Sequence, residues 1–174
     1  MLIFGEVNAL ASFKKDRLLE ELRILDKNIS DVSAEFVHFV ETTKNLTESS
    51  EHKLKKLLSY DEKYEESRKG ELFLVVPRHG TISPWSSKAT DISRSSNLSE
   101  IKRIERGTAY YIHSKSELNR EKISNVLADR MTQMVLDDLK KAETLFGSDR
   151  KKTYEQIELG SNGAEALQKM NKKL

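Results

Sequence analysis

Twice along this chain, apolar spacing changes from the two-residue alternation of a strand to the three-and-four spacing of a helix, each time in the same order. Residues 2–7 (LIFGEV) are apolar and β-prone. Beyond Asn8 the pattern lengthens and places Phe13, Leu18, Leu22 and Leu25 on one helical face. Residues 33–43 turn Ala34, Phe36, His38 and Val40 to one side of a second strand, and Asn45–Thr47 offers an N-cap for the helix EHKLKKLLSY. A polar connection follows over 63–70. LFLVV (72–76) then carries apolar residues in both parities, as expected of a central strand buried on two faces. A short helix is expected from about Ser87 to Ser96, closed by Asn97, which tolerates the left-handed conformation of a C′ residue. Ile101–His113 reads as a strand with Ile104, Thr108, Tyr110 and Ile112 on one face. The spacing of Leu127, Met131, Val135, Leu139, Ala142 and Phe146 predicts one long amphipathic helix over 118–146.

Two strand–helix–strand–helix units, 2–60 and 71–146, restrict the chain to an α+β fold. The expected form is two ferredoxin-like halves that share a sheet, with helices stacked on a face. Sequence identity between the halves is negligible, so the duplication is one of pattern. With 174 residues, 37% of them hydrophobic, one core and a polar tail are expected. GSDRKKT (147–153) has glycine and charge without apolar spacing, which sets a domain over 1–146 and a boundary segment over 147–174.

Much chemistry is excluded. No cysteine means no disulfide framework, no thiolate metal site and no Cys nucleophile in this chain. Thirty Lys and Arg against 28 Asp and Glu leave a formal +2, too little for a global field toward nucleic acid or anionic membrane. The first residues lack the basic start of a signal peptide, and no run approaches the roughly 18 apolar residues of a membrane span, so a cytoplasmic chain is expected. The four histidines are scattered, and neither a nucleophile elbow nor a phosphate-binding glycine loop occurs. His38, on an apolar strand face, reads as a core histidine.

Residues 77–92 (PRHGTISPWSSKATDI) stand apart. Arg78, Gly80, Ser83, Trp85, Ser86, Ser87, Lys88 and Asp91 crowd one turn and helix start. Hydroxyls, the Gly80 backbone and the cations Arg78 and Lys88 could hold a phosphate or carboxylate at the helix N-terminus. Alternatively Ser86 or Ser87 is an N-cap, Trp85 a core or interface plug, and Lys88 solvated. Strand alternation puts Arg103 and Glu105 on one face and Arg106 on the other, either as a surface ion-pair ladder or as charge complementary to another domain.

The run PR-x-GTISPWSSKATDI, with RIERG-x-AYYI beyond it, resembles the N-terminal domain of the long form of phosphoribosylformylglycinamidine synthase, or formylglycinamide ribonucleotide amidotransferase. GEVNALASFKKDRLLEEL, AEFVHFVE (34–41), LADRMTQMVL (127–136) and LGSNGAEAL (159–167) extend the resemblance over nearly the whole chain. His79, Ser96-Asn97 and Ala128 depart from the common pattern of proline, Cys-Gly and histidine. Leu174 falls inside the linker motif, so the chain is expected to be a piece of a longer one.

The resemblance implies a PurS-dimer-like domain, followed by the start of a helical linker domain, inside a purine-biosynthesis ligase. That enzyme converts formylglycinamide ribonucleotide, glutamine and ATP to formylglycinamidine ribonucleotide, glutamate, ADP and phosphate. Mg-ATP would sit in a synthetase domain and a Cys-His-Glu triad in a glutaminase domain; this chain itself would carry no cofactor, metal or catalytic residue. Its partners would be those two domains, with neither nucleic acid nor membrane. Arg78, Gly80, Ser83, Trp85, Ser86, Ser87, Lys88, Asp91, Arg103, Glu105 and Arg106 would form a docking surface bordering the active site. The alternative is a stand-alone module that holds a phosphorylated metabolite or a partner protein through the 77–92 loop.

Overall fold

A computed structural model describes residues 1–58 and 68–147, together with Gly163, Leu167 and Gln168. The expected polar connection over 63–70 and the boundary segment 147–174 therefore lie largely outside the described residues.

The element order is β1 (Leu2–Asn8), α1 (Ser12–Leu25), β2 (Ile29–Thr42), α2 (Glu48–Leu58), β3 (Glu71–Pro77), α3 (Pro84–Ser95), β4 (Ile101–Ser114), α4 (Arg120–Leu127) and β5 (Gln133–Leu136). A 3-10 helix over Leu139–Phe146, here the closing helix, completes it. The strands form one antiparallel sheet ordered β1-β2-β4-β3-β5. The fold is thus the expected α+β duplication. Ser12 and Pro84, Ile29 and Ile101, and Glu48 and Arg120, the first residues of matching elements, each stand 72 residues apart. In the β2–β4 ladder Phe36 pairs with Thr108, its own counterpart at that offset, so a pseudo-twofold axis runs through the centre of the sheet.

Alternation along β2 and β4 divides the core. Val32, Phe73 and Ile112 meet Leu22 of α1 and Ile123 of α4. Val40 and Ile104 meet Leu54 and Leu58 of α2, with Trp85 and Ala89 of α3 against them. Each helix pair joins one helix from either half, so neither half owns its core. On the opposite face Val37, Phe39, Leu74, Val76 and Ala109 lie under Ala142 and Leu145 of the closing helix. Full burial of each valine, leucine, isoleucine or phenylalanine here contributes roughly 1.5–3 kcal/mol, and of each alanine less.

Three expectations are corrected. The long helix over 118–146 does not form. The chain leaves α4 at Ala128, and the Asp129 carboxylate accepts from the Met131 N–H and the Thr132 hydroxyl, making a turn. Met134 and Leu136 then face one core and Val135 the other, a two-residue alternation concealed within the three-and-four spacing. LFLVV is not central: β3 lies second from the edge, flanked by β4 and β5, and the middle strand is β4. Phe13, assigned to the buried face of α1, is 67% exposed, whereas Leu22 is buried and Leu18 and Leu19 pack beside it.

Candidate functional site

The 77–92 segment crosses from one face of the sheet to the other where β3 has ended. β3 pairs with β4 only at 108–112, and Pro77 has no N–H to extend a ladder. Gly80 adopts φ 75, and Thr81 closes the turn with its N–H and its hydroxyl on the Arg78 carbonyl, at 3.2 and 2.6 Å.

Ser83, and not Ser86 or Ser87, caps α3. Its Oγ accepts from the Ser86 N–H at 3.0 Å, and Pro84 occupies the first turn. The helix therefore starts three residues earlier than expected. Glu105, 0% exposed, stands beside the cap of α3, where the residue types alone also allow an external anion. Its carboxylate accepts from the Ser83 N–H at 3.3 Å, from the Ser83 hydroxyl at 3.0 Å and from the Arg103 guanidinium at 2.5 Å. The α3 N-terminus and its dipole thus have a carboxylate of the protein's own beside the cap residue. A surface ladder of Arg103 and Glu105 is likewise replaced by a pair whose acid is wholly buried.

Ser86 is buried as well. Its hydroxyl donates to the Ile104 carbonyl at 2.5 Å, while Thr90 Oγ1 accepts from the Ile104 N–H at 3.0 Å. Two hydroxyls four residues apart on α3 thereby take the place of a neighbouring strand, beyond the stretch that β3 pairs. Thr90 carried no distinguishing signal in the sequence except that spacing.

On the helix face, Arg106 lies over the Phe36 ring at 4.3 Å and the Trp85 ring at 4.8 Å, as strand alternation placed it opposite Arg103 and Glu105. Such guanidinium–ring contacts contribute about 0.5–2 kcal/mol each. His38, cross-strand from Arg106, stacks on Trp85 with ring centroids 5.3 Å apart. Burial first, and the Arg106 charge second, lower the His38 pKa to about 4, so its imidazole is neutral at pH 7. His38 and Phe36 joined this cluster through pairing between distant strands, which spacing within one strand cannot reveal.

Arg78, Gly80, Ser87, Lys88 and Asp91 are exposed. Beside them a groove of about 160 Å³ opens between α2 and α3, lined by Leu57, Leu58, Trp85, Lys88, Ala89, Ile92 and Ser93. Leu57 and Ile92 stand 41% and 49% exposed at its rim. The structure therefore splits the eleven predicted residues. Ser83, Ser86, Arg103 and Glu105 bond to one another or to nearby backbone; Trp85 and Arg106 stack; the other five face outward.

The first half has no such cluster. At the 72-residue offset Ala11 stands for Ser83, Phe13 for Trp85, Asp16 for Lys88, Ser33 for Glu105 and Ala34 for Arg106. Ala11 makes no side-chain cap. Among the described residues, no three His, Cys, Asp or Glu side chains are grouped to hold a metal ion, and no helix is long and apolar enough to cross a membrane.

A family model described as formylglycinamide ribonucleotide amidotransferase N-terminal matches residues 35–146, nearly two thirds of the chain. The match ends with the closing helix and includes every residue of the cluster from Arg78 to Arg106.

Proposed function

The chain belongs to the formylglycinamide ribonucleotide amidotransferase N-terminal family, and from that membership we propose that it is the structural and coupling domain of the ligase that makes formylglycinamidine ribonucleotide. It packs on the synthetase domain of the same cytoplasmic polypeptide and helps deliver ammonia, released from glutamine by the glutaminase domain, to the ATP-dependent step. Mg-ATP, formylglycinamide ribonucleotide and glutamine are bound by those other domains. Residues 147–174 begin the linker toward them.

The observation that carries this reading is the division within the cluster. Groups that could perform chemistry are consumed in fixing α3, while half-buried Trp85 lines the α2–α3 groove beside exposed Lys88 and an aliphatic rim. A rigid helix that presents an aromatic anchor, aliphatic neighbours and a flanking cation suits a protein–protein contact better than a reaction centre. The exposed Arg78, Gly80, Ser87, Lys88 and Asp91 complete the docking surface, held in place by Ser83, Ser86, Arg103, Glu105 and Arg106. For the stand-alone module, the anion position at the α3 N-terminus is already filled by Glu105.

Trp85→Ala in the complete enzyme tests the proposal. Glutamine-dependent turnover should fall at least about tenfold, the effect of losing one interface anchor, with glutaminase activity largely retained. Equal loss of both activities would reduce Trp85 to a folding role. Saturable binding of formylglycinamide ribonucleotide to the isolated chain would favour the stand-alone module.

A further inference from the structure

We propose that Arg103 is a latch that makes the presentation of α3 and the exit of the chain at Gly147 one mechanical unit. This coupling lies within the domain and holds whatever docks on its surface.

One guanidinium reaches three separate pieces of chain. Its Nη2 donates to Glu105 Oε1 at 2.5 Å and to the Thr81 carbonyl at 2.8 Å, and its Nη1 donates to the Leu145 carbonyl at 3.1 Å. The same group lies 5.6 Å from the centre of the Phe146 ring. Through Glu105 it holds both the N–H and the hydroxyl of Ser83, the cap on which α3 begins. Through Leu145 and Phe146 it holds the last residues of the closing helix, directly before Gly147.

A second tie runs in parallel: His79 Nδ1 lies 3.2 Å from the Thr144 carbonyl, which can only accept, so the proton is on Nδ1. The planar fork of arginine spreads its donors over separate nitrogens in fixed directions, whereas the three N–H groups of lysine diverge from one nitrogen and cannot reach the same acceptors. With Glu105 fully buried, moving Arg103 away would strand its carboxylate, so the cluster has one favoured arrangement. A displacement of Gly147 by whatever follows it must therefore either break this arrangement or carry Thr81 and Ser83 along. By thermodynamic reciprocity, a partner that shifts the α3 N-terminus acts equally on Gly147.

Amide hydrogen exchange on the full 174-residue chain provides the test, with Ser83 and Ser86 reporting the α3 side, Gly147 the exit, and the β2–β4 ladder around Val32 and Ile112 the distant core. Arg103→Lys should speed exchange at both ends by about tenfold or more while the distant ladder keeps its protection. Phe146→Ala, which touches the latch from the exit side only, should also speed Ser83 and Ser86, and the double variant should exceed the faster single one by less than about twofold. If Phe146→Ala affects Gly147 alone, or if the distant ladder loosens equally in either variant, the latch is overturned. Should Arg103→Lys not fold, Phe146→Ala decides by the same criterion.

Discussion

At the residue scale, one buried network links a cap, a carboxylate and a guanidinium. Glu105→Ala would leave Arg103 without its acid and Ser83 without its acceptor, and is expected to cost about 3–5 kcal/mol in urea unfolding. Ser83→Ala, which removes a cap and one donor to Glu105, should cost about 1–2 kcal/mol. His38 makes stability depend on pH. Its pKa falls from 6.5 to about 4 on folding, so between those values the unfolded chain binds the extra proton; the stability present above pH 6.5 is lost as pH drops toward 4. From pH 7 to pH 5 this amounts to about 2 kcal/mol, read as a lower urea midpoint, and His38→Phe should flatten that slope. An unchanged slope in that variant would assign the dependence to other groups. Asn97, read from the sequence as a left-handed C′ residue, has φ 59 and follows the Ser96 C-cap of α3. Thr47, within the expected cap segment, accepts the Ser50 N–H. Such local signals were legible because a cap needs only its own next few residues. The bond between Glu105 and Ser83 was not, since the two lie 22 residues apart, whereas strand alternation alone placed Arg103 beside Glu105.

At the element scale, β4 organises the molecule: it pairs with β2 along nearly its whole length and with β3 at one end, and it anchors α3 where β3 stops. Gly107 lies where β4 packs closely against β3. A Cβ there would stand 2.8 Å from Val76 Cγ1 and 3.0 Å from the Val75 carbonyl oxygen, so Gly107→Ala should destabilise by about 1–3 kcal/mol, measured by thermal unfolding. No loss of Tm would mean that β3 and β4 can separate freely there. The failed long helix belongs to this scale. Apolar residues at intervals of three and four also fit a helix turn, a short strand and a 3-10 turn laid end to end, and the Asp129 turn chooses the second arrangement.

At the scale of the molecule, the helix pairs interlock the halves. α1 packs with α4 over Phe73 and Ile112, and α3 with α2 over Val40. Residues 1–70 expressed alone should therefore show no cooperative unfolding transition, whereas the 174-residue chain should unfold its domain in one; a folded, monomeric 1–70 would refute shared cores. Composition and spacing determined by themselves that the chain is an α+β duplication, that it has no cysteine chemistry, and that 77–92 is its most specific segment. These follow from residue types and from periods a few residues long. Tertiary structure alone decided that the duplication is a pseudo-twofold about Phe36 and Thr108, that Glu105 fills the α3 N-terminus, and that Arg103 joins the loop to the closing helix. Those facts depend on which strands pair and in what register. That choice is set by the free energy of the assembled core, which no short window of sequence contains.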